Sequence, residues 1–275
     1  MTDNDIQVDC YGLTDVGKVR RVNEDQFLIA SMRKVMEVEQ TSLPRHTREQ
    51  MHGRAMARLL LVADGVGGSA AGEEASGLAL ETVATYVTTT MKCFYQLDKQ
   101  LESDLMSELR SSVQKSHAMV QSAAESTPER QGMATTLTVV HVLWPTAYIV
   151  HVGDSRCYLF RDCGLTQLTR DQTLAQDLVE KGVLAADRAD DSEWSDMLSG
   201  AVGAQIAPDT SKVELRRHDT LLLCTDGLTK HLKSDDVSGV LEAAESAEVA
   251  CRNLVSSALD RGGTDNVTVV VSRFT

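Results

Sequence analysis

Four apolar, strand-like runs in this chain are tied to an aspartate: Leu59 to Asp64, Tyr148 to Asp154, Leu221 to Asp226, and Asp265 ahead of Val267 to Val271. An earlier acidic pair, Glu24-Asp25, joins them. Strands deliver the side chains at their ends to a common edge, and carboxylates collected on such an edge are how metal-dependent hydrolases hold hard cations. Two carboxylates about 4 Å apart repel by roughly 4 kcal/mol at an effective dielectric of about 20, so a convergent set needs cations or protons. Oxygen ligands without a converging Cys or His set favour Mg²⁺ or Mn²⁺ over zinc. Taken singly, Asp64-Gly65, Asp226-Gly227 and Asp265-Asn266 each read as a turn at a strand end.

The glycine-rich stretch from Gly65 to Gly72 lacks the Gly-Lys-Ser/Thr end of a nucleotide-binding loop and the Gly-x-Gly-x-x-Gly of a dinucleotide site. It reads as close backbone approach beside Asp64, with the Gly65 carbonyl a further hard oxygen ligand; a tight strand-to-helix turn fits it equally. Cys224 and Ser155 stand beside the acids without an evident base to activate them. The six cysteines, at 10, 93, 157, 163, 224 and 251, show no Cys-x-x-Cys pair and read as small buried hydrophobes. His141, His151 and His218 read as packed or surface residues, with no metal role.

The elements that must position these groups follow from pattern. Residues 6–30 read as two strands about a turn at Thr14 to Gly17, and residues 31–58 as a polar connection with short strands or a helical turn of its own. Leu59 to Ala63 is a strand buried on both faces. Leu80, Val83, Ala84, Val87 and Met91 recur at helical spacing, as do Leu97, Leu101, Leu105, Leu109, Val113 and Val120. Residues 135–144 and 147–152 form a hairpin about Pro145-Thr146, and Arg156 to Arg161 continue as a strand. Leu174 to Val179 is a short helix closed by Gly182. Residues 183–212, acidic from Asp187 to Asp196, read as a surface flap. Thr220 to Cys224 is a strand, 235–244 and 248–259 are helices, and 266–274 is a last strand. Hairpin-linked strands with paired helices imply an α+β layered fold and not a parallel βαβ sheet.

Composition narrows the function. With 275 residues, 42% hydrophobic, and no linker-like tract, one domain over 6–275 is expected, with a polar insertion at about 31–58 and a flap at about 170–212. A formal charge of −13 argues against nucleic acid and anionic membrane as partners. The N-terminus lacks the layout of a signal peptide and no apolar run reaches membrane-spanning length, so a cytoplasmic protein is expected.

Six motifs in order, Arg20-Arg21-Val22-Asn23-Glu24-Asp25, Asp64-Gly65-Val66-Gly67-Gly68 with Gly72-Glu73, Gly132-Met133-Ala134-Thr135-Thr136, Gly153-Asp154-Ser155-Arg156, Asp226-Gly227-Leu228 and Gly263-Thr264-Asp265-Asn266, resemble the metal-dependent serine/threonine phosphatases of the protein phosphatase 2C type, in their bacterial form. The resemblance implies a central antiparallel β-sandwich flanked by α-helices on both sides. It implies that Asp25, Asp64, the Gly65 carbonyl, Asp226 and Asp265 hold two Mn²⁺ or Mg²⁺ ions, with Asp154 and Asp226 offering a third, weaker site. Glu24 would act through water, and Arg20, ahead of Arg21 as the better placed of the pair, would hold the phosphoryl group with its planar fork.

The activity implied is hydrolysis of phosphoserine and phosphothreonine in proteins by a metal-bridged water, without a phosphoenzyme. Partners would be phosphorylated proteins, substrates of a serine/threonine kinase, met by a monomer. The chain departs from many relatives where a histidine follows the first Asp-Gly: here the residues are Val66 to Ser69, and the general acid is unassigned. Two other readings stand beside this one, a regulatory pseudophosphatase that binds phosphoprotein without hydrolysis, and a hydrolase of small phosphoesters.

Overall fold

The computed structural model describes residues 6–37, 50–91, 99–189 and 192–275. In chain order the elements are β1 (Val8–Asp15), β2 (Asp25–Glu37), β3 (Gln50–Val66), α1 (Ser69–Thr89), α2 (Lys99–Ser126), β4 (Ala134–Thr135), β5 (Leu137–Leu143), β6 (Thr146–Val152), β7 (Arg156–Arg161), β8 (Gly164–Gln167), α3 (Leu174–Glu180), β9 (Asp209–Glu214), β10 (Thr220–Cys224), α4 (Asp226–Thr229), α5 (Ser234–Ala243), α6 (Ala247–Asp260) and β11 (Val267–Phe274).

Side-chain alternation on the strands builds four layers. One sheet runs β1-β11-β10-β7-β8 and the other β2-β3-β5-β6-β9, with β4 paired to β3. Leu60 and Val62 of β3 point between the sheets, with Val140 and Ile149, to meet Leu221, Leu223, Val270 and Phe274 of the other sheet. Their neighbours Leu59, Leu61 and Ala63 point the other way, onto Ala75, Ala79 and Val83 of α1 and Leu105 and Leu109 of α2. On the far side, Leu222, Val269 and Val271 receive Leu241 of α5 and Cys251, Leu254 and Val255 of α6. Each fully buried aliphatic side chain contributes about 1.5–3 kcal/mol. The α+β sandwich with helices on both faces is therefore the observed architecture.

Antiparallel register sets the acid-bearing strand ends at one end of the sandwich. Asp25, first in β2, is the direct partner of Asp64 in β3. Val152, two residues before Asp154, pairs with Leu137, and Cys224, two before Asp226, pairs with Arg156 and Val269.

Several local expectations are corrected. Asp64-Gly65 is not a turn: β3 continues through both, because Gly65 and Val66 pair with Thr135 and Ala134 of β4. Asp226-Gly227 opens the short helix α4. Residues 31–37 and 50–58, expected as a polar connection, are the outer halves of the β2–β3 hairpin; positions 38–49 lie outside the described residues, as do Cys93 and Leu97. The flap hides one strand at its end, β9, which pairs along β6. Cys163 is exposed, contrary to the buried role expected of it, whereas Cys157, Cys224 and Cys251 are buried free thiols.

Candidate active site

The acids converge on a cleft of about 580 Å³ at the acid-bearing end of the sandwich, lined by Arg20, Glu24, Asp64, Gly65, Asp154, Asp226 and Asp265 among others. Asp25 is buried beside Asp64, its partner in the next strand. The expected phosphate- and metal-binding residues are thus brought to one place, Asp25 through its pairing with Asp64. Arg21 also lines the cleft, so both arginines of the pair reach it.

Backbone contacts fix these groups closely. The Asn266 carbonyl lies 1.9 Å from where a Cβ on Gly227 would sit, so only glycine lets the Asp226 turn pack on the Asp265 turn. A Cβ on Gly65 would lie 2.1 Å from the Gly72 carbonyl, the close approach read from the glycine-rich stretch. The Gly65 N–H donates to Glu24 O at 3.2 Å, and the Ser76 hydroxyl donates to the same oxygen at 2.6 Å.

A second tier of polar groups holds the acids from below. Thr225 Oγ1 donates to Asp25 Oδ2 at 2.8 Å and accepts the Thr268 N–H at 3.0 Å. The Asp64 N–H donates to Thr136 Oγ1 at 2.9 Å, which also shares a hydrogen bond with Ser155 Oγ at 2.7 Å. Asn266 accepts the Glu24 N–H at 2.9 Å and donates to the carbonyls of Val16 and Val22. His151 is buried between Thr138 Oγ1 and Gly153 O, each 2.9 Å away, and so supports the turn that carries Asp154. Ser155 is accordingly a structural hydroxyl, and Cys224 a core thiol whose pKa burial raises to about 12.

Burial and mutual repulsion make the cluster reluctant to carry its full negative charge. Burial raises Asp25 to about 7 and Asp154 to about 8, with Asp226 adding repulsion to each. Asp64 is pushed well above the ordinary carboxylate value by burial and then by Asp25, Asp226 and Asp154. Glu24 is raised by burial. Burial also acts upward on Asp265, but Lys230 and Arg20 outweigh it and hold that carboxyl low.

Two cations answer this charge. Arg20, with half of its side chain exposed, places Nε 2.8 Å from Asp265 Oδ1 and Nη2 3.0 Å from Asp265 Oδ2. Lys230, absent from the sequence reading, places Nζ 2.6 Å from Asp226 Oδ2, 3.2 Å from Asp265 Oδ2 and 3.4 Å from Asp196 Oδ1. The lysine sits four residues after Asp226, a helical spacing that becomes visible only once α4 is known. Asp196 comes from the flap, and it also lines the cleft.

The donor set suits hard divalent ions. Asp25 Oδ1 and Asp226 Oδ1 are buried and have no hydrogen-bond partner among the described residues. Such atoms are costly unless a cation meets them. Among the described residues no three acidic, His or Cys side chains are gathered tightly enough to form a ready-made cage. The Lys230 ammonium instead engages the other oxygen of Asp226, Oδ2, together with Asp265 Oδ2. Among the described residues no histidine lines this cleft, and His231 lines the adjoining one that shares Asp154, Asp226 and Lys230 with it.

The sequence profile described as protein phosphatase 2C matches residues 44–259. The serine/threonine protein phosphatase PstP of Mycobacterium tuberculosis is 37% identical over 219 residues, which are 79% of this chain and 40% of the mycobacterial protein. The chain thus spans well under half of that relative's length. The serine/threonine phosphatase stp of Listeria welshimeri is 31% identical over 78% of this chain and 83% of its own. In three dimensions, the catalytic domain of PstP crystallised with two manganese ions superposes with a TM-score of 0.75 at 30% identity, covering 98% of this chain and all of that one.

Proposed function

The chain belongs to the protein phosphatase 2C family, and from that premise we propose that it hydrolyses phosphoserine and phosphothreonine in proteins, with two Mn²⁺ or Mg²⁺ ions as cofactors. The observation that carries this reading is the pair of buried oxygens, Asp25 Oδ1 and Asp226 Oδ1, that have no hydrogen-bond partner among the described residues, at a cleft lined by Arg20 and Arg21. The manganese-bound PstP domain supports the choice and number of ions.

In this reading Asp25, Asp64, the Gly65 carbonyl, Asp226 and Asp265 hold the two ions, Asp154 and Asp226 serve a third, weaker one, and Glu24 acts through water. Bound divalent ions supply positive charge and the Lewis acidity that makes water nucleophilic near neutral pH. The chain's own residues do the rest. Asp265 steadies the Arg20 guanidinium, whose exposed side is free to grip a phosphoryl dianion and align it for in-line attack. Glu24, its backbone N–H fixed by Asn266, stands in the cleft wall as an acceptor for water. In this reading the departing alkoxide takes its proton from water.

The substrates are phosphoproteins made by a serine/threonine kinase, and the protein is a single-domain, monomeric, cytoplasmic signalling enzyme. The unbroken sandwich over the described residues supports one domain over 6–275. No helix among the described residues is long and apolar enough to cross a membrane, and the −13 charge disfavours nucleic acid. Comparing kcat/KM for phosphothreonine peptides and for small phosphomonoesters tests the substrate class. A higher value for peptides is expected, and a strong preference for the small esters would overturn it.

A further inference from the structure

One side chain ties the Asp226 turn to the Asp265 turn. His231 Nδ1 lies 2.9 Å from the carbonyl oxygen of Gly227, the residue after Asp226. Its Nε2 lies 3.2 Å from the backbone N of Thr264, the residue before Asp265, and 3.2 Å from Thr264 Oγ1. A carbonyl can only accept, so Nδ1 carries the proton. A neutral ring then leaves Nε2 as an acceptor, which is what the Thr264 N–H requires. A single tautomer satisfies both contacts. The loop is also held from outside, where Arg261 Nη1 donates to the His231 carbonyl at 3.2 Å. None of the sequence motifs includes His231.

We propose that His231 is a positioning residue for the metal-binding carboxylates, fixing the separation of the Asp226 and Asp265 turns; the inference rests on reading those aspartates as ligands to divalent ions. The need for such a clamp is electrostatic. Asp226 and Asp265 approach from different strands and share the Lys230 ammonium, so a site that exchanges that ammonium for a divalent ion requires their backbones to be held through the exchange. Gly227 already allows the two turns to touch; His231 sets how they touch. Its ring does not line the main cleft, and it is assigned no contact with the phosphoryl group.

The test is calorimetric titration of Mn²⁺ into chelator-stripped, full-length wild type, His231→Phe, His231→Gln and Asp226→Asn, with the melting temperature of each in chelator. Phenylalanine keeps the ring and loses both hydrogen bonds. Glutamine restores an acceptor to the Thr264 N–H. The clamp predicts that His231→Phe lowers Mn²⁺ affinity roughly 10- to 100-fold with its chelated melting temperature close to wild type, and that His231→Gln recovers much of the loss. Wild-type Mn²⁺ affinity in His231→Phe would overturn the clamp alone. So would a loss in His231→Phe that follows a lowered chelated melting temperature and is not recovered by glutamine. Absence of Mn²⁺ binding in the wild type, or its persistence in Asp226→Asn, would overturn the metal reading and the clamp with it.

Discussion

Lys230 Nζ sits 2.6 Å from Asp226 Oδ2 and 3.2 Å from Asp265 Oδ2, which places an internal ammonium on two of the carboxylates proposed to hold divalent ions. Two thirds of the side chain is shielded, and although burial opposes the charge, Asp226, Asp265 and Asp196 outweigh it and raise the lysine pKa. Lysine and metal therefore draw on the same acids.

That competition sets a direction for Lys230→Met. Removing the ammonium should tighten Mn²⁺ binding by about tenfold, equivalent to about 1.4 kcal/mol, and should lower the melting temperature measured in chelator because the carboxylates lose their cation. Titration calorimetry with paired melting curves checks both. Weaker Mn²⁺ binding in Lys230→Met would show that the lysine supports the metal site instead of opposing it.

The raised carboxyls give a pH dependence with a definite sign. A carboxyl whose folded pKa lies above its unfolded value of about 3.9 stabilises the fold while protonated. That stabilisation is lost as pH rises through the folded value. For Asp25 and Asp154 those values are about 7 and about 8. In chelator the melting temperature should therefore fall as pH rises from about 4 to about 8 and level off above that. The stabilisation added by Mn²⁺ should grow over the same range, because the ion binds the deprotonated form. A chelated protein whose melting temperature rises toward pH 8 would contradict this.

Thr225→Val keeps the shape of the side chain and removes its hydroxyl. The Thr268 N–H then loses its acceptor and Asp25 one of its donors, both in buried surroundings. A loss of about 1–3 kcal/mol is expected, read from urea unfolding in chelator. A change below about 0.5 kcal/mol would show that the hydrogen bonds are replaced.

Arg20→Lys keeps the charge at the mouth of the cleft but not the two-pronged fork. If Arg20 grips the phosphoryl group, KM for a phosphothreonine peptide should rise by about tenfold, close to the 1.5–3 kcal/mol of a charged hydrogen bond at its lower end. Steady-state kinetics decides, and an unchanged KM would move phosphate binding to Arg21, which lines the same cleft.

The sequence and the structure agree most closely where burial is strongest. Leu59 to Ala63 and Leu221 to Cys224 are continuous apolar runs, and such runs are buried on both faces of a sandwich. The carboxylates at their ends were legible for the same reason, because each is announced by the run before or after it. β9 was not legible: Asp209 to Glu214 is a polar, exposed strand whose place is set by pairing along β6 and not by apolar alternation. Asp64-Gly65 reads locally as a turn, yet the pairing of β3 with β4 keeps it extended. Lys230, His231 and Thr225 escaped notice because each matters through a partner brought near only by the fold, such as Thr264, 33 positions away from His231, or Asp25, 200 positions from Thr225.

The most direct test is phosphate release from a phosphothreonine peptide by wild type and Asp226→Asn, each with chelator, Mg²⁺ and Mn²⁺ in parallel. Release by the wild type that needs Mg²⁺ or Mn²⁺ and is abolished in Asp226→Asn is the expected result. Release that survives chelation, or that Asp226→Asn retains at the wild-type rate, would contradict the assignment of this carboxylate cluster as the metal centre of a protein phosphatase.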